Sequence, residues 1–156
     1  MEALQKRYAM EQKVKDQVKT IQSLKFIIEK TCIKNTPDSN KRMLEAVQRF
    51  RNMLASEKPP TKHIIEAGAI PLFAKLLERE DLEIVQFEAA WALTNVASDG
   101  YAEEVVKCGA VPHLTRLLLS GDPKVREQSA WCLGNIAGES AELRDVALAA
   151  GALKPL

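Results

Sequence analysis

Apolar and polar residues alternate along most of this chain with the period of an α-helix rather than that of a strand. Five apolar residues near the N-terminus follow one another at intervals of three or four positions: Val14, Val18, Ile21, Leu24 and Ile28. The stretches LFAKLL at residues 72–77 and HLTRLLL at residues 113–119 show the same amphipathic pattern. The sequence therefore predicts an all-α protein.

Short stretches of sequence recur about every 40 residues. AGAIP begins at residue 67, CGAVP at residue 108 and AGALKPL at residue 150. The two tryptophans, Trp91 and Trp131, lie 40 residues apart, and so do Asn95 and Asn135. A period of this length is typical of helical solenoids, in which each unit has two or three helices and packs only on its neighbours.

Each unit is predicted to contain two short helices and a longer third helix. The third helices are expected at about residues 83–98 and 124–138. Asp122 is a suitable N-cap for the second of these, with Pro123 in the first helical position. A weaker copy of the third helix lies at residues 44–54, where Gln and Asn stand at the positions of Trp and Asn.

The chain divides into two predicted regions. Residues 23–156 form three repeats and the start of a fourth, and the apolar stretch AGALKPL, where a solenoid needs a polar cap, indicates a piece of a longer array. Residues 1–22 form an amphipathic helix that either caps the first repeat or stays free as a coiled-coil or partner-binding helix. An unfinished apolar end also allows self-association.

The paired tryptophans and asparagines predict a binding surface. At about 100° per residue, each Trp and the Asn four positions later lie on one helix face, away from the small apolar residues that pack. An Asn amide offers a donor and an acceptor to an extended peptide backbone, and an indole attracts a Lys or Arg cation by about 0.5–2 kcal/mol. Stacked repeats would arrange the pairs as a ladder on one concave face, with Glu88 and Glu139 as carboxylates for the ammonium groups.

The charge distribution supports a basic ligand. The chain has a net charge of +1, but residues 1–60 carry thirteen Lys or Arg and seven Asp or Glu, a net +6. Residues 61–156 carry nine and fourteen, a net −5. The part with the tryptophans is therefore acidic, which favours a basic partner, and the overall charge selects neither nucleic acid nor membrane.

No catalytic or metal-binding arrangement is predicted. The three cysteines and two histidines lack the spacing of a metal site or of a nucleophile with its base. The chain has no Gly-rich phosphate loop and no apolar run of membrane-spanning length. We therefore expect a non-enzymatic protein that needs no cofactor and no metal, with reduced, buried thiols.

With these motifs, the chain resembles the importin-α family of adaptors, whose armadillo repeats bind nuclear localisation signals. The resemblance covers about residues 23–156 and is carried by QFEAAWALTNVASDG, EQSAWCLGNIAGES, AGAIP and, upstream, NMLASEKPP. It implies a right-handed armadillo-repeat α-solenoid. It also implies extended Lys/Arg-rich peptides or cargo proteins as partners, and a location in both cytoplasm and nucleus.

The resemblance also implies a set of peptide-binding residues. Ten positions match the groove of the family: Trp91, Asn95, Gln128, Trp131, Asn135, Glu139, Gly138, Ser98, Ala97 and Leu54. Glu139 stands where family members usually have Asp, and Ser56 stands where they have Arg. A third Trp/Asn pair would lie beyond residue 156, so only the N-terminal part of a groove is expected.

The N-terminal segment departs most from the family. Importin-α begins with a Lys/Arg-rich autoinhibitory segment that recruits importin-β, whereas residues 1–22 hold one adjacent basic pair, Lys6–Arg7. We therefore do not expect this segment to recruit importin-β or to occupy the groove. Two alternatives stay open: a general armadillo scaffold with an acidic or hydrophobic partner, and a self-associating structural module.

Overall fold

A computed structural model describes residues 1–154, and these residues are helical apart from short connections. The described part holds α-helices in this order: α1 (Glu2–Thr31), α2 (Pro37–Leu54), α3 (Thr61–Glu66), α4 (Ile70–Leu76), α5 (Glu83–Val96), α6 (Ala102–Lys107), α7 (Ala110–Leu117), α8 (Pro123–Glu139) and α9 (Ala141–Ala149). No strand occurs within residues 1–154, so the prediction of an all-α protein is confirmed.

The helices group into units of the predicted length. Helices α3, α4 and α5 form one unit and α6, α7 and α8 form the next, while α1 and α2 precede them and α9 follows. The long third helices stack in chain order, α2 against α5 and α5 against α8. Of the predicted start of a fourth repeat at residues 150–156, Pro155 and Leu156 lie outside the described residues.

A continuous apolar core runs along this stack. Phe50 of α2 and Phe73 of α4 are fully buried, and their rings meet edge to face with centroids 5.2 Å apart. The third helices contribute small residues such as Ala89, together with Leu93 and Ile136. Burial of a large aliphatic or aromatic side chain stabilises the fold by about 1.5–3 kcal/mol, so this core fixes how each repeat faces its neighbours.

Local signals set the ends of the long helices. The Asp122 carboxylate accepts a hydrogen bond from the Lys124 amide at 2.8 Å, which confirms it as the N-cap of α8. Thr36 caps α2 in a capping box with Ser39. Between the first and second helices of a unit, Gly68 and Gly109 have φ angles of 73° and 81°, a left-handed conformation that favours glycine. This turn explains why the AGAIP and CGAVP motifs recur.

Helix α1 crosses the predicted boundary at residue 22 without a break. Ile21, Leu24 and Ile28 are buried against the first repeat, as their spacing predicts. Residues 1–16 are all exposed, and Val14 keeps 40% of its surface in contact with solvent. The apolar stripe therefore packs only in the second half of the helix, and residues 1–16 do not cap the first repeat.

Helix α5 is joined to α6 by the kinked segment Ala97–Tyr101, where Gly100 has a φ of 85°, outside the helical region. The corresponding passage from α8 to α9 is a sharp break at Ser140, whose φ of −155° and ψ of 164° are extended. The Ser140 hydroxyl then accepts a hydrogen bond from the Leu143 amide at 3.2 Å and caps α9. The C-terminal ends of α5 and α8 thus differ in shape.

Candidate functional site

The two Trp/Asn pairs lie in equivalent positions on the neighbouring helices α5 and α8. Trp131 is 59% exposed, and Trp91, Asn95 and Asn135 are half-buried. The prediction that neither tryptophan belongs to the core is confirmed. We call these four residues the Trp/Asn face.

The indole of Trp91 is less accessible because two other side chains touch it. The guanidinium carbon of Arg51, on α2, lies 4.3 Å from the centroid of the indole, a cation–π contact. Phe87, one turn earlier on α5, meets the same indole edge to face, with centroids 5.5 Å apart. The indole of Trp91 is therefore packed between two side chains of the same protein, whereas the indole of Trp131 projects into solvent.

Arg51 is itself held by a buried carboxylate. Its Nε donates to Glu88 Oε2 at 2.8 Å, and Gln48 Nε2 donates to Glu88 Oε1 at 3.1 Å. Glu88 is only 4% exposed. The prediction that Glu88 is available for a ligand ammonium group is therefore wrong, because both of its oxygens are already engaged by α2.

The asparagines of the Trp/Asn face also link one repeat to the next. Asn95 Nδ2 donates to the Arg51 carbonyl at 3.4 Å, and Asn135 Nδ2 donates to the Thr94 carbonyl at 3.4 Å. Each bond runs from a third helix to the last turns of the preceding third helix. The amide groups are thereby oriented in advance, and each keeps its carbonyl oxygen for a further donor.

Gln128 lies one turn before Trp131, but its side chain points into the contact between repeats. It is 6% exposed, and its Nε2 donates to Thr94 Oγ1 at 2.7 Å. The Thr94 hydroxyl in turn donates to the Ala90 carbonyl at 2.8 Å. In the structure Gln128 holds α8 against α5, and its role in peptide binding stays a prediction.

Three of the predicted groove residues lie at the C-terminal ends of α2 and α5. Leu54 is 4% exposed and Ala97 is 2% exposed, so both belong to the core and present little surface to a ligand. Ser98 is exposed, and its hydroxyl donates to the Asn95 carbonyl at 3.0 Å. Of these three residues, Ser98 alone is on the open surface.

An open path runs along α8 beside Trp131. Gly134 and Gly138, three and seven residues after Trp131, are both exposed. Apart from adjoining residues and the backbone of the same helix turns, no atom lies within 4 Å of the position that a Cβ would take at either residue. This spacing places them on the same side of the helix as the indole. The path has a floor of bare backbone, which lets a ligand approach closely.

The path ends at an acidic cavity of about 410 Å³. It lies where α8 passes into α9, and its lining comprises Gly100, Glu103, Glu139, Ser140, Glu142 and Leu143. Glu103 pairs with Lys107 at 3.0 Å, whereas Glu139 is exposed. The carboxyl end of helix α8 adds partial negative charge at this point, so the cavity favours a cation.

Burial makes two of the three cysteine thiols weakly reactive. Burial raises the pKa of the Cys108 thiol to about 11 and that of the Cys132 thiol to about 12. Both residues therefore stay protonated at neutral pH.

Within residues 1–154, no group of three or more His, Cys, Asp or Glu side chains could hold a metal ion. No helix in this part of the chain is long and apolar enough to cross a bilayer.

Comparison of the sequence with known protein families identifies the family to which this chain belongs. The model of the armadillo/beta-catenin-like repeat matches residues 57–98 and 98–138, more than half of the 156 residues. The chain belongs to the armadillo-repeat family. This family consists of non-enzymatic binding proteins, so the prediction that the chain is not an enzyme is confirmed.

Within that family, the chain is similar to importin subunits alpha. It is 49% identical over 123 residues to importin subunit alpha-2 of Arabidopsis thaliana and 50% identical over 123 residues to importin subunit alpha-1a of Oryza sativa subsp. japonica. Each alignment covers 76% of this chain and 23% of the relative. The resemblance predicted from the Trp/Asn motifs is confirmed, and the chain matches less than a quarter of the length of these relatives.

Solved structures give the same fold. An engineered protein is 32% identical with a TM-score of 0.74, over 85% of this chain and 53% of that one. A designed armadillo repeat protein in complex with the peptide (KR)4 is 27% identical with a TM-score of 0.73, over 86% of this chain and 54% of that one. The prediction of an armadillo α-solenoid is therefore confirmed.

Proposed function

We propose that this chain binds extended Lys/Arg-rich peptides of the nuclear-localisation-signal type on its Trp/Asn face, as part of an import adaptor. The observation that carries the proposal is the exposure of Trp131 beside an open path over Gly134 and Gly138. This path leads to the acidic cavity that Glu139 lines. An exposed indole offers apolar area and a π-face to the side chain of a basic residue. Here it stands next to an anchoring amide and a carboxylate.

Each part of the face has a role in this proposal. The Trp131 indole packs against the aliphatic stem of a Lys or Arg and attracts its cation. The Asn135 amide, oriented by the Thr94 carbonyl, accepts a peptide N–H at its free oxygen. A Lys at the next position reaches over Gly138 to Glu139, where a carboxylate and the end of α8 receive the ammonium group.

The comparisons support this class of ligand. The relatives are named as importin subunits alpha, and one structural neighbour is a designed armadillo repeat protein in complex with (KR)4, a peptide of alternating Lys and Arg. From these relatives we further propose that cargo proteins with basic signals are the partners, and that the chain occurs in cytoplasm and nucleus. Recruitment of importin-β through residues 1–22 is not part of the proposal, since they hold one adjacent basic pair.

The test is a calorimetric titration with a short Lys/Arg-rich peptide and with a Glu/Asp-rich peptide of equal length. We expect only the basic peptide to bind, with a dissociation constant of roughly tens of micromolar, and to bind more weakly as salt rises. The double substitution Trp131→Ala and Asn135→Ala should abolish binding. Phe26→Ala is the matched control, because Phe26 is 58% exposed but lies on α1.

Other outcomes separate the alternatives. Unchanged affinity in the double variant would place the basic peptide elsewhere and refute the site. Preference for the acidic peptide would support a general scaffold with a different partner. If the chain instead forms concentration-dependent oligomers and binds neither peptide, the self-associating module is the better description.

A further inference from the structure

Trp91 carries an arginine from its own chain in a position where a ligand cation would otherwise bind. Arg51 stacks over the indole at 4.3 Å and donates to Glu88 at 2.8 Å. An indole face and a carboxylate are the two groups that would recognise the basic side chain of a peptide. In the first complete Trp/Asn pair of the chain, both groups are thus already used by Arg51.

The contact is built into the fold rather than formed by a loose surface side chain. Arg51 keeps only 20% of its side-chain surface exposed, and Glu88 keeps 5%. The Arg51 carbonyl also accepts the hydrogen bond of Asn95 Nδ2, so the backbone of Arg51 is anchored beside the same Trp/Asn pair. Arg51 lies in the last turn of α2 and approaches the indole from this preceding third helix.

The corresponding place beside Trp131 has a different composition. Beside Trp131 the position of Arg51 is taken by Thr94, whose carbonyl accepts from Asn135 as the Arg51 carbonyl accepts from Asn95. The counterpart of Glu88 is Gln128, which is uncharged and bonded to Thr94. No cation of this chain lies over the Trp131 ring among the described residues. The two Trp/Asn pairs therefore differ in accessibility. The indole of Trp91 is covered by Arg51 on its α2 side, and the indole of Trp131 is open.

We infer that Arg51 is a specificity-determining residue that fills the cation site on the α2 side of Trp91 and ends basic-residue recognition there. A peptide gains no affinity from a Lys or Arg placed against that side of Trp91, because the face and the carboxylate are taken and a second cation is repelled. Recognition of basic side chains is concentrated between Trp91 and the Glu139 end. This inference rests on the proposed function, but the occupied state of Trp91 can be tested without it.

The peptide experiment compares three proteins: the natural chain, Arg51→Ala and Arg49→Ala. Arg49 is the matched control, because it removes the same charge from the same helix at an exposed position. Each protein is titrated with one Lys/Arg-rich peptide and with its single Lys/Arg→Ala variants. We expect one peptide position whose replacement weakens binding less than about twofold in the natural chain and in Arg49→Ala but at least about fivefold in Arg51→Ala, within the range of a cation–π contact. The same profile in all three proteins would overturn the inference.

A second measurement does not need a binding peptide. The chain has two tryptophans, so a ¹H–¹⁵N spectrum shows two indole signals, which the Trp131→Ala variant assigns. On titration with N-acetylarginine amide, we expect the Trp131 signal to move in the natural chain and both signals to move in Arg51→Ala. Equal movement of the Trp91 signal in the two proteins would overturn the inference. If the basic peptide fails to bind the natural chain, the proposed function fails, and this titration still decides the role of Arg51.

The Arg51→Ala variant leaves the buried Glu88 carboxylate without its cation and could unfold for that reason. A second variant avoids this unpaired charge. Arg51→Ala combined with Glu88→Gln removes both charges and keeps an amide that can accept from Gln48. It also uncovers the indole of Trp91. In this variant the Trp91 signal should respond to N-acetylarginine amide more than in the natural chain, and no difference would overturn the inference.

Discussion

Gln128 of α8 donates a 2.7 Å hydrogen bond to the hydroxyl of Thr94 of α5 inside the contact between two repeats. Both side chains are buried, and the Thr94 hydroxyl itself donates a hydrogen bond to the Ala90 carbonyl. The bond fixes the position of α8 on α5, and therefore the position of Trp131 relative to Trp91. The Trp/Asn face thus depends on polar contacts beneath it as well as on the residues that it exposes.

Replacement of Gln128 should cost stability. In Gln128→Ala the Thr94 hydroxyl loses its buried donor, so we expect the free energy of unfolding to fall by about 1–3 kcal/mol. Urea unfolding followed by circular dichroism measures this. The neighbouring exposed substitution Glu127→Ala should stay within about 0.5 kcal/mol of the natural chain. A loss of peptide affinity in a Gln128→Ala protein of unchanged stability would instead assign Gln128 to the ligand.

The Arg51–Glu88 pair should respond unequally to removal of either partner. Arg51→Ala leaves a carboxylate that is almost fully buried, and we expect a loss of about 3 kcal/mol. Glu88→Gln leaves a guanidinium that still reaches solvent and the Trp91 indole, and we expect a loss of about 1 kcal/mol. The combined variant should be more stable than Arg51→Ala alone. Equal losses in both single variants, measured by urea unfolding, would contradict this asymmetry.

Replacement of Gly134 by alanine should preserve the fold but weaken the binding of a basic peptide. It lies in the interior of α8 with a free space where a Cβ would stand, so Gly134→Ala should raise the free energy of unfolding by about 0.5–1 kcal/mol. The added methyl group narrows the path beside Trp131 and should weaken binding of a basic peptide. Gly138→Ala, in the last turn of α8, should stabilise less. Stronger peptide binding by either variant would contradict the position of the path.

The three thiols should differ in reactivity. Because the thiolate is the reactive form, the raised pKa values of Cys108, about 11, and Cys132, about 12, slow alkylation at pH 8. We expect the half-buried Cys32 to be modified first and Cys132 last, as followed by mass spectrometry. In denaturant all three should react at similar rates. Early modification of Cys132 in the native protein would contradict its burial.

The same pKa values predict how stability changes at high pH. A thiol whose folded-state pKa lies above the ordinary 9.0 keeps its proton longer in the folded chain than in the unfolded chain. Its contribution to stability is complete below pH 9 and is lost as the pH rises towards 11 and 12. Thermal unfolding of the natural chain and of Cys132→Ala between pH 8 and pH 11 measures this, since the variant should lose less stability over the interval.

The sequence predicted the framework of the fold closely, because local signals determine it. The third helices were expected at residues 83–98 and 124–138 and are found at Glu83–Val96 and Pro123–Glu139. Apolar periodicity, the Asp122 cap and the turn glycines are all encoded within a few residues of where they act. The predicted boundary at residue 22 lies inside α1, because no cap or glycine marks a helix end there.

The site was predicted less completely, because helical spacing gives the face of a residue but not its partner across a repeat. Glu88 and Gln128 share the side of the helix that meets the preceding third helix, and both are buried there. A usable signal lies in the 40-residue register. Glu88 and Gln128 are 40 residues apart, and their respective partners Arg51 and Thr94 are 43 residues apart. Complementary polar residues at that interval indicate contacts between repeats.

The central claim is that a basic peptide lies on the Trp/Asn face. A ¹H–¹⁵N titration of the protein with a Lys/Arg-rich peptide tests it most directly, because it reports the Trp indole and Asn side-chain amide signals one by one. We expect the largest shifts at the Trp131 indole, the Asn135 amide, and the Gly134, Gly138 and Glu139 backbone. Shifts confined to other surfaces, such as exposed residues 1–16 of α1, with those five signals unmoved, would contradict the claim.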